Sequence, residues 1–134
     1  MKRLSTVLFT LLLICLLCAG ARLGYAGEAR GVTDDTIKIG FILDQTGPAA
    51  PIGIPVANAT RTYFQNINDH GGINGRKVKI ILEDDHYSIP GAIAAFKKLI
   101  FRDAALSILF TGGTGQTFAL MNQIEKNKVP VIYP

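Results

Sequence analysis

The segment Thr36-Ile-Lys-Ile-Gly-Phe-Ile-Leu43 indicates the architecture of this 134-residue chain more directly than any other. It begins with polar and apolar residues in alternation and ends in an apolar run. Continuous apolar sequence is typical of strands that are buried on both faces, as in parallel sheets covered by helices. We therefore predict a strand over 36–43 that enters the interior of an α/β sheet.

Helical and strand patterns alternate after this segment. Apolar residues recur at helical spacing from Pro55 to about His70. Gly71-Gly72 should end that helix, because glycine readily adopts the left-handed conformation that follows a helix. The later pattern predicts a strand over 77–83, a helix that begins near Pro90, a strand over 106–110, a helix around 118–124 and a strand over 129–133.

The order β-α-β-α-β-α-β with long crossovers predicts a doubly wound parallel sheet with helices on both faces. Ligands of such sheets bind outside the carboxyl ends of the strands. The loops at that edge are therefore the candidate functional segments, at 44–53, 84–89 and 111–117. The turn over 71–76 lies at the opposite edge and is expected to be structural.

Residues 1–26 have the pattern of a secretory signal peptide. Lys2 and Arg3 precede an apolar run, and small residues allow cleavage after Ala21 or Ala26. The run is shorter than the roughly 20 apolar residues of a membrane-spanning helix, although an uncleaved signal anchor stays an alternative. We expect an exported protein, periplasmic or otherwise extracytoplasmic, with residues 27–134 forming the mature part.

Removal of the signal changes the composition. The chain carries 14 basic and 10 acidic residues, and Lys2, Arg3 and Arg22 lie before residue 27. The mature part is therefore nearly neutral, which argues against nucleic acid as a partner. Both cysteines, Cys15 and Cys18, also lie in the signal, so no thiol is left for redox or zinc chemistry. Lipid modification at Cys18 stays open, but Leu17 is larger than the residue that such sites prefer.

The final predicted strand is followed by no helix and would leave an apolar surface uncovered. We therefore expect that residues 27–134 are the first part of a longer domain. Neither a cofactor nor a metal is expected, and no catalytic Ser/His/Asp set can be assembled, because the chain has only His70 and His86.

The best candidate site is Thr111-Gly-Gly-Thr-Gly-Gln-Thr117, which follows a predicted buried strand and begins a helix. Backbone N–H groups and the positive end of the helix dipole would converge there, which suits a carboxylate or phosphate. Glycines allow close approach, and Thr114 and Thr117 add hydroxyl groups. The alternative is an ordinary strand-to-helix turn capped by Thr114.

Asp84-Asp85-His86 is a weaker candidate for a metal or acid/base site. Adjacent residues at a strand end point to opposite sides, so the two carboxylates are not expected to converge. An N-cap role for Asp85 or Ser88 before the second helix is the favoured interpretation. Lys97 and Lys98 are expected to be solvated.

Two stretches carry a family resemblance. Ile39-Gly-Phe-Ile-Leu-Asp-Gln-Thr-Gly-Pro48 and Ile67-Asn-Asp-His-Gly-Gly-Ile-Asn-Gly-Arg76, followed by Asp84-Asp85, resemble the leucine/isoleucine/valine-binding protein family. These are type I periplasmic solute-binding proteins of ABC importers. The resemblance runs from about residue 33 to 134 and implies the first of two lobes that close on a ligand.

The resemblance also implies site residues. The family grips the ligand's carboxylate and ammonium with a loop that corresponds to Gly113, Thr114, Gly115 and Thr117. A side chain after Pro48, often aromatic in the family, covers the ligand and corresponds to Ile52. Further ligand-binding residues would follow Pro134.

The function implied is capture of a branched-chain amino acid or similar small carboxylate, without covalent chemistry. A membrane permease is the expected partner, and the full-length protein is expected to be a monomer. A ligand-sensing receptor or regulator of the same fold is the alternative. An enzyme is disfavoured, because no acid/base set converges.

Overall fold

The computed structural model describes residues 29–132, with Phe110 and Thr111 described by their backbone alone. The predicted signal peptide and Tyr133 lie outside the described residues. Three strands and three α-helices alternate within residues 29–132. They are β1 (Thr36–Ile42), α1 (Ala50–Asp69), β2 (Lys77–Glu83), α2 (Ile89–Lys97), β3 (Ser107–Thr111) and α3 (Thr114–Lys126).

The sheet has the order β2-β1-β3, and both strand pairs are parallel. β1 is therefore the central strand, as expected from its apolar sequence. β2 lies at the edge with Lys77 and Lys79 exposed, and such charged residues discourage pairing with another chain. The fourth strand expected over 129–133 is reduced, among the described residues, to one parallel bridge between Ile108 and Val131.

Each face of the sheet carries its own apolar core, which confirms the doubly wound arrangement. Phe41 and Leu43 pack with residues of α1 on one face. Ile42 points to the other face and packs with residues of α2 and α3, including Phe96 and Leu120. Successive strand side chains alternate between faces, so one continuous apolar strand supplies both cores.

Helix α1 begins at Ala50, five residues before the predicted start at Pro55. Pro51 lies in its first turn, where no helical partner for an N–H group is needed. Pro55 lies inside the helix and on its exposed surface, where water can satisfy the carbonyl left without a partner. A start at Pro55 is therefore wrong by five residues, because this proline is tolerated inside the helix.

Helix α2 has the N-cap that the sequence favoured. Ser88 Oγ accepts a hydrogen bond from Gly91 N–H at 3.1 Å and donates one to Asp85 O at 2.8 Å. The helix continues as a π-helical turn over Lys98–Arg102. Lys98 is not simply solvated, because its ammonium forms an ion pair with Glu83 at the end of β2. None of the helices in the described part of the chain is long and apolar enough to cross a membrane.

Candidate functional site at the carboxyl edge of the sheet

The loops after β1 and β2 are tied together by hydrogen bonds at the carboxyl edge. The Asp84 carboxylate accepts Gln45 N–H at 3.0 Å and the Thr46 hydroxyl at 2.7 Å. Gly47 lies against the other loop, since a Cβ built there would be 2.7 Å from His86 O. These long-range bonds hold the two loops in a fixed arrangement above the strand ends.

Asp44 organises the loop after β1. Its side chain is only 3% exposed, and its carboxylate accepts backbone N–H groups from Thr46 at 3.2 Å, Ala49 at 2.6 Å and Gly47. A buried carboxylate is stable only when its oxygens are hydrogen-bonded, and this loop supplies the donors. The loop is thereby folded back on Asp44, and α1 begins directly after it.

Asp84 and Asp85 each accept the N–H group two residues further along the chain, at 3.0 Å from His86 and 3.1 Å from Tyr87. His86 and Tyr87 both have a φ of 52°, in the left-handed region. The backbone is therefore no longer extended directly after Asp85. For that reason the expectation that the carboxylates diverge is wrong: one oxygen from each of Asp44, Asp84 and Asp85 lies within 4.8 Å of the others.

The two adjacent aspartates have opposite pKa shifts. Partial burial acts to raise the pKa of Asp84, but hydrogen bonds from Gln45, Thr46 and His86 outweigh it and hold the pKa below its ordinary value. Burial raises the pKa of Asp85; the Tyr87 N–H opposes this, whereas the negative charge of Asp44 adds to it. Asp85 is fully buried, and its Oδ2 has no hydrogen-bond partner among the described residues.

Gly112, after β3, completes the edge against Asp85. Its φ is +87°, and a Cβ built there would be 2.2 Å from Asp85 Oδ2. Any other residue would be strained in its backbone and would collide with the carboxylate. Gly112 therefore permits the third loop to contact the second.

A cavity of about 220 Å³ lies at the meeting point of the three loops. Its walls are mainly apolar and come from every loop: Leu43, Asp44, Ala49, Ile52, Gly53, Val56, Tyr87 and Gly112. Drug-sized ligands occupy cavities of about 300–1,000 Å³, so this one suits a small molecule. Ile52 is 69% exposed at its mouth.

Helix α3 begins at the same edge without a side-chain cap. Gly113 is the N-cap residue, and Thr114 is the first helical residue, so the alternative in which Thr114 caps the helix is wrong. The first backbone bond of the helix runs from Thr117 N–H to Gly113 O at 2.8 Å. The N–H groups before it have no helical acceptor, and together with the helix dipole they favour an anion.

The predicted site residues are not gathered into one cavity. Ile52 lines the cavity described above, whereas Thr114 and Thr117 line a neighbouring hollow with Phe118 and Met121. Thr117 Oγ1 donates to Gly113 O at 2.9 Å, which uses its hydroxyl hydrogen inside the helix. Gly113 lies against Tyr87 of the cavity and directly precedes Thr114, and Gly115 is exposed with open space around its Cα.

Tyr87 is the residue at this edge that sequence reasoning missed. It lines the cavity, and a Cβ built on Gly113 would be 3.1 Å from its Cε2 and 3.5 Å from its hydroxyl oxygen. The sequence indicates the loop over 84–89 as a candidate segment, but it does not indicate that the backbone of this loop is left-handed. An aromatic residue directly after the paired aspartates was the available signal.

Comparison with known proteins shows which family this chain belongs to. The family described as "Periplasmic binding protein" matches residues 36–134. The chain belongs to the periplasmic binding protein family. Among curated members, the Leu/Ile/Val-binding protein BraC3 of Rhizobium johnstonii is 31% identical over 98 residues, which cover 73% of this chain and 26% of BraC3.

Solved structures of periplasmic binding proteins share the fold. A fatty acid ABC transporter substrate-binding protein from Thermomonospora curvata has a TM-score of 0.71 at 32% identity. The branched-chain amino acid transporter substrate binding protein LivJ from Streptococcus pneumoniae, in complex with isoleucine, has 0.69 at 26%. A solute binding protein from Rhodopseudomonas palustris, in complex with 3,4-dihydroxybenzoic acid, has 0.66 at 32%.

The match covers 75% of this chain in each case, but only 25%, 29% and 27% of those three proteins in turn. The chain therefore spans about a quarter of the length of the proteins that it resembles. The matching family is described as a family of periplasmic binding proteins, and the first two of these solved structures are of substrate-binding proteins of transporters.

Proposed function

We propose that this chain belongs to the extracytoplasmic solute-binding component of an ABC importer, and that it binds a branched-chain amino acid or a similar small carboxylate. One observation carries the proposal: the uncapped N-terminus of α3 lies beside a small, mainly apolar cavity at the carboxyl edge of the sheet. Free N–H groups suit a carboxylate, and apolar walls suit the rest of such a molecule.

The ligands named for related proteins have this chemistry in common. Isoleucine, 3,4-dihydroxybenzoic acid and fatty acids each combine a carboxyl group with a largely apolar body. The carboxylate is therefore the feature that we assign to the ligand of this chain. Ile52 at the cavity mouth would contact the apolar body.

The mechanism that we propose is capture between this lobe and a second one, followed by closure and delivery to a membrane permease. Residues 1–26 would direct export, and the binding protein would act as a monomer. Cell fractionation of an epitope-tagged complete gene product tests the location; retention in the cytoplasm would contradict it.

A ligand panel tests the proposed function. The complete gene product should gain thermal stability with at least one of L-leucine, L-isoleucine, L-valine and 3,4-dihydroxybenzoate, because a ligand stabilises the state that binds it. A panel with no shift at millimolar ligand would contradict the proposal.

Thr114 is the residue whose substitution tests the site within that panel. If its exposed hydroxyl contacts the ligand carboxylate, Thr114→Ala should weaken binding by about 1–3 kcal/mol in a calorimetric titration. Thr62→Ala, on the exposed surface of α1, removes the same hydroxyl far along the chain and should leave affinity unchanged. Equal affinity of the Thr114→Ala and wild-type proteins would show that the Thr114 hydroxyl does not contact the ligand.

A further inference from the structure

We infer that the Tyr87 hydroxyl is a second receptor for the ligand carboxylate and acts together with the N–H groups at the start of α3. This inference rests on the proposed function and names a residue in the loop after β2, outside the loop that the family resemblance implicated. Tyr87 lies between the apolar cavity and Gly113, the N-cap residue of α3.

Two distances show where the Tyr87 ring lies. A Cβ on Gly113 would be 3.1 Å from Tyr87 Cε2 and 3.5 Å from the hydroxyl oxygen. The hydroxyl therefore lies close to Gly113, the N-cap residue of α3. Gly113 has an extended backbone, with φ 172°, so its lack of a side chain provides space for the ring and does not relieve strain.

The loop fixes Tyr87 through its backbone and leaves the side chain available. Tyr87 N–H donates to the buried Asp85 carboxylate at 3.1 Å, and the residue is held at a φ of 52°. The side chain itself is placed at the cavity, and the residue is 48% exposed. A backbone anchor combined with an accessible hydroxyl is what a ligand-binding tyrosine requires.

The charge around the cavity favours a hydroxyl donor. Asp44 is the charged residue in the cavity lining, and its carboxylate already accepts three backbone N–H groups. No cationic side chain lines the cavity in the described part of the chain, so neutral donors would receive a ligand carboxylate on this side. The helix N–H groups supply some, and the Tyr87 O–H supplies one that can donate from the cavity side.

The experiment compares acids with their primary amides in the complete gene product. The probes are L-leucine with L-leucinamide, and 3,4-dihydroxybenzoate with 3,4-dihydroxybenzamide, measured by calorimetric titration. The wild-type protein should prefer one acid to its amide. Tyr87→Phe, which retains the ring and deletes the hydroxyl, should lower the affinity for that acid about tenfold or more, because a hydrogen bond to a charged group is lost.

The matched control is Tyr63→Phe, which deletes the same atom from an exposed tyrosine on α1 and should change neither affinity. Tyr87→Phe should lower the affinity for the amide by less, because a hydrogen bond to a neutral carbonyl contributes less than one to a carboxylate, so that the preference for acid over amide falls. Circular dichroism melting curves of both variants should match the wild type, because the backbone anchor of Tyr87 is retained.

The possible failures are distinguishable. If an acid binds and Tyr87→Phe binds it as tightly as the wild type, the inference is wrong and the proposed function stands. An equal loss for acid and amide would also overturn it, since Tyr87 would then contact the ligand body. If neither acid binds to the wild-type protein, the proposed function and the inference both fail.

Discussion

The two edges of the sheet are closed by side chains of opposite charge. At the carboxyl edge, the carboxylates of Asp44, Asp84 and Asp85 accept backbone N–H groups of the loops. At the amino edge, cationic side chains donate to backbone carbonyls: Arg30 to Ala105 at 2.9 Å, Arg76 to Thr33 at 2.8 Å and Lys38 to Asp103 at 3.1 Å.

The difference concerns burial as well as charge. Asp44 and Asp85 are buried beside a cavity, whereas the bonds of Arg30 and Lys38 are partly buried and that of Arg76 is exposed. A carboxylate ligand at the carboxyl edge would therefore meet backbone N–H groups and hydroxyls in place of arginine or lysine. The aspartates would hold the loops in position, Asp44 doing so from the wall of the cavity.

The largest expected loss of stability comes from a substitution that fills the space between α1 and Asp44. A Cβ on Gly53 would be 1.7 Å from Asp44 O, a backbone atom that cannot move aside. Gly53→Ala should destabilise the fold by about 3 kcal/mol or more in urea unfolding. At the amino edge, a Cβ on Gly75 would have open space around it. Gly75→Ala should therefore destabilise the fold only by the backbone strain of an alanine at a φ of +81°, about 1–2 kcal/mol. Equal losses would contradict the close packing of α1 against Asp44 at the carboxyl edge.

The adjacent aspartates should respond to pH in opposite directions. Asp84 has a lowered pKa, so its contribution to stability is present above its ordinary value of 3.8 and is lost as pH falls through the folded-state value. Asp85 has a raised pKa, so folding is favoured while it is protonated, and stability falls as pH rises from 3.8 through its folded-state value.

Urea unfolding between pH 3 and 7 measures this opposition. Asp84→Ala should cost about 2 kcal/mol at pH 7, because hydrogen bonds to a charged acceptor are lost, and less at pH 3. Asp85→Asn retains the acceptor for Tyr87 N–H, and its stability relative to the wild type should rise as pH increases. Parallel profiles for the two variants would show that their environments do not differ as described.

The smallest effect is expected at Gly115, where one substitution should raise the stability of the fold and weaken ligand binding. Gly115 is helical and has open space around its Cα, so Gly115→Ala should stabilise the fold by about 0.5–1 kcal/mol. If a ligand approaches the first turn of α3, the added methyl group should nevertheless weaken binding. Thermal melting and calorimetric titration of one variant give both values, and unchanged affinity would place the ligand elsewhere.

The architecture was predictable because it depends on local patterns. The apolar run over 36–43 identified the central strand, and the rule for parallel sheets placed the three loops at one edge. The helix beginning at Ala50 was not predictable from periodicity, since it depends on the N–H groups that Asp44 collects.

The details of the site depend on long-range contacts. Asp84 binds Gln45 across 39 positions, and Asp85 faces Gly112 after β3. His86 and Tyr87 also adopt left-handed conformations, which a single sequence does not indicate. The glycines of the third loop are expected from the sequence to allow close approach of a ligand, and at Gly112 the close neighbour is the Asp85 carboxylate of this chain.

The most direct measurement of the central claim follows backbone amide signals of the ¹⁵N-labelled complete gene product during titration with L-leucine and with 3,4-dihydroxybenzoate. Two sets of three glycines, whose signals fall in a distinct region of the spectrum, serve as probes: Gly112, Gly113 and Gly115 of the loop after β3 at the carboxyl edge, and Gly71, Gly72 and Gly75 of the turn at the amino edge. We predict that the acid that binds will shift the first set and leave the second unchanged. Shifts confined to the second set, or equal at both edges, would contradict the assignment of the carboxyl edge as the binding site.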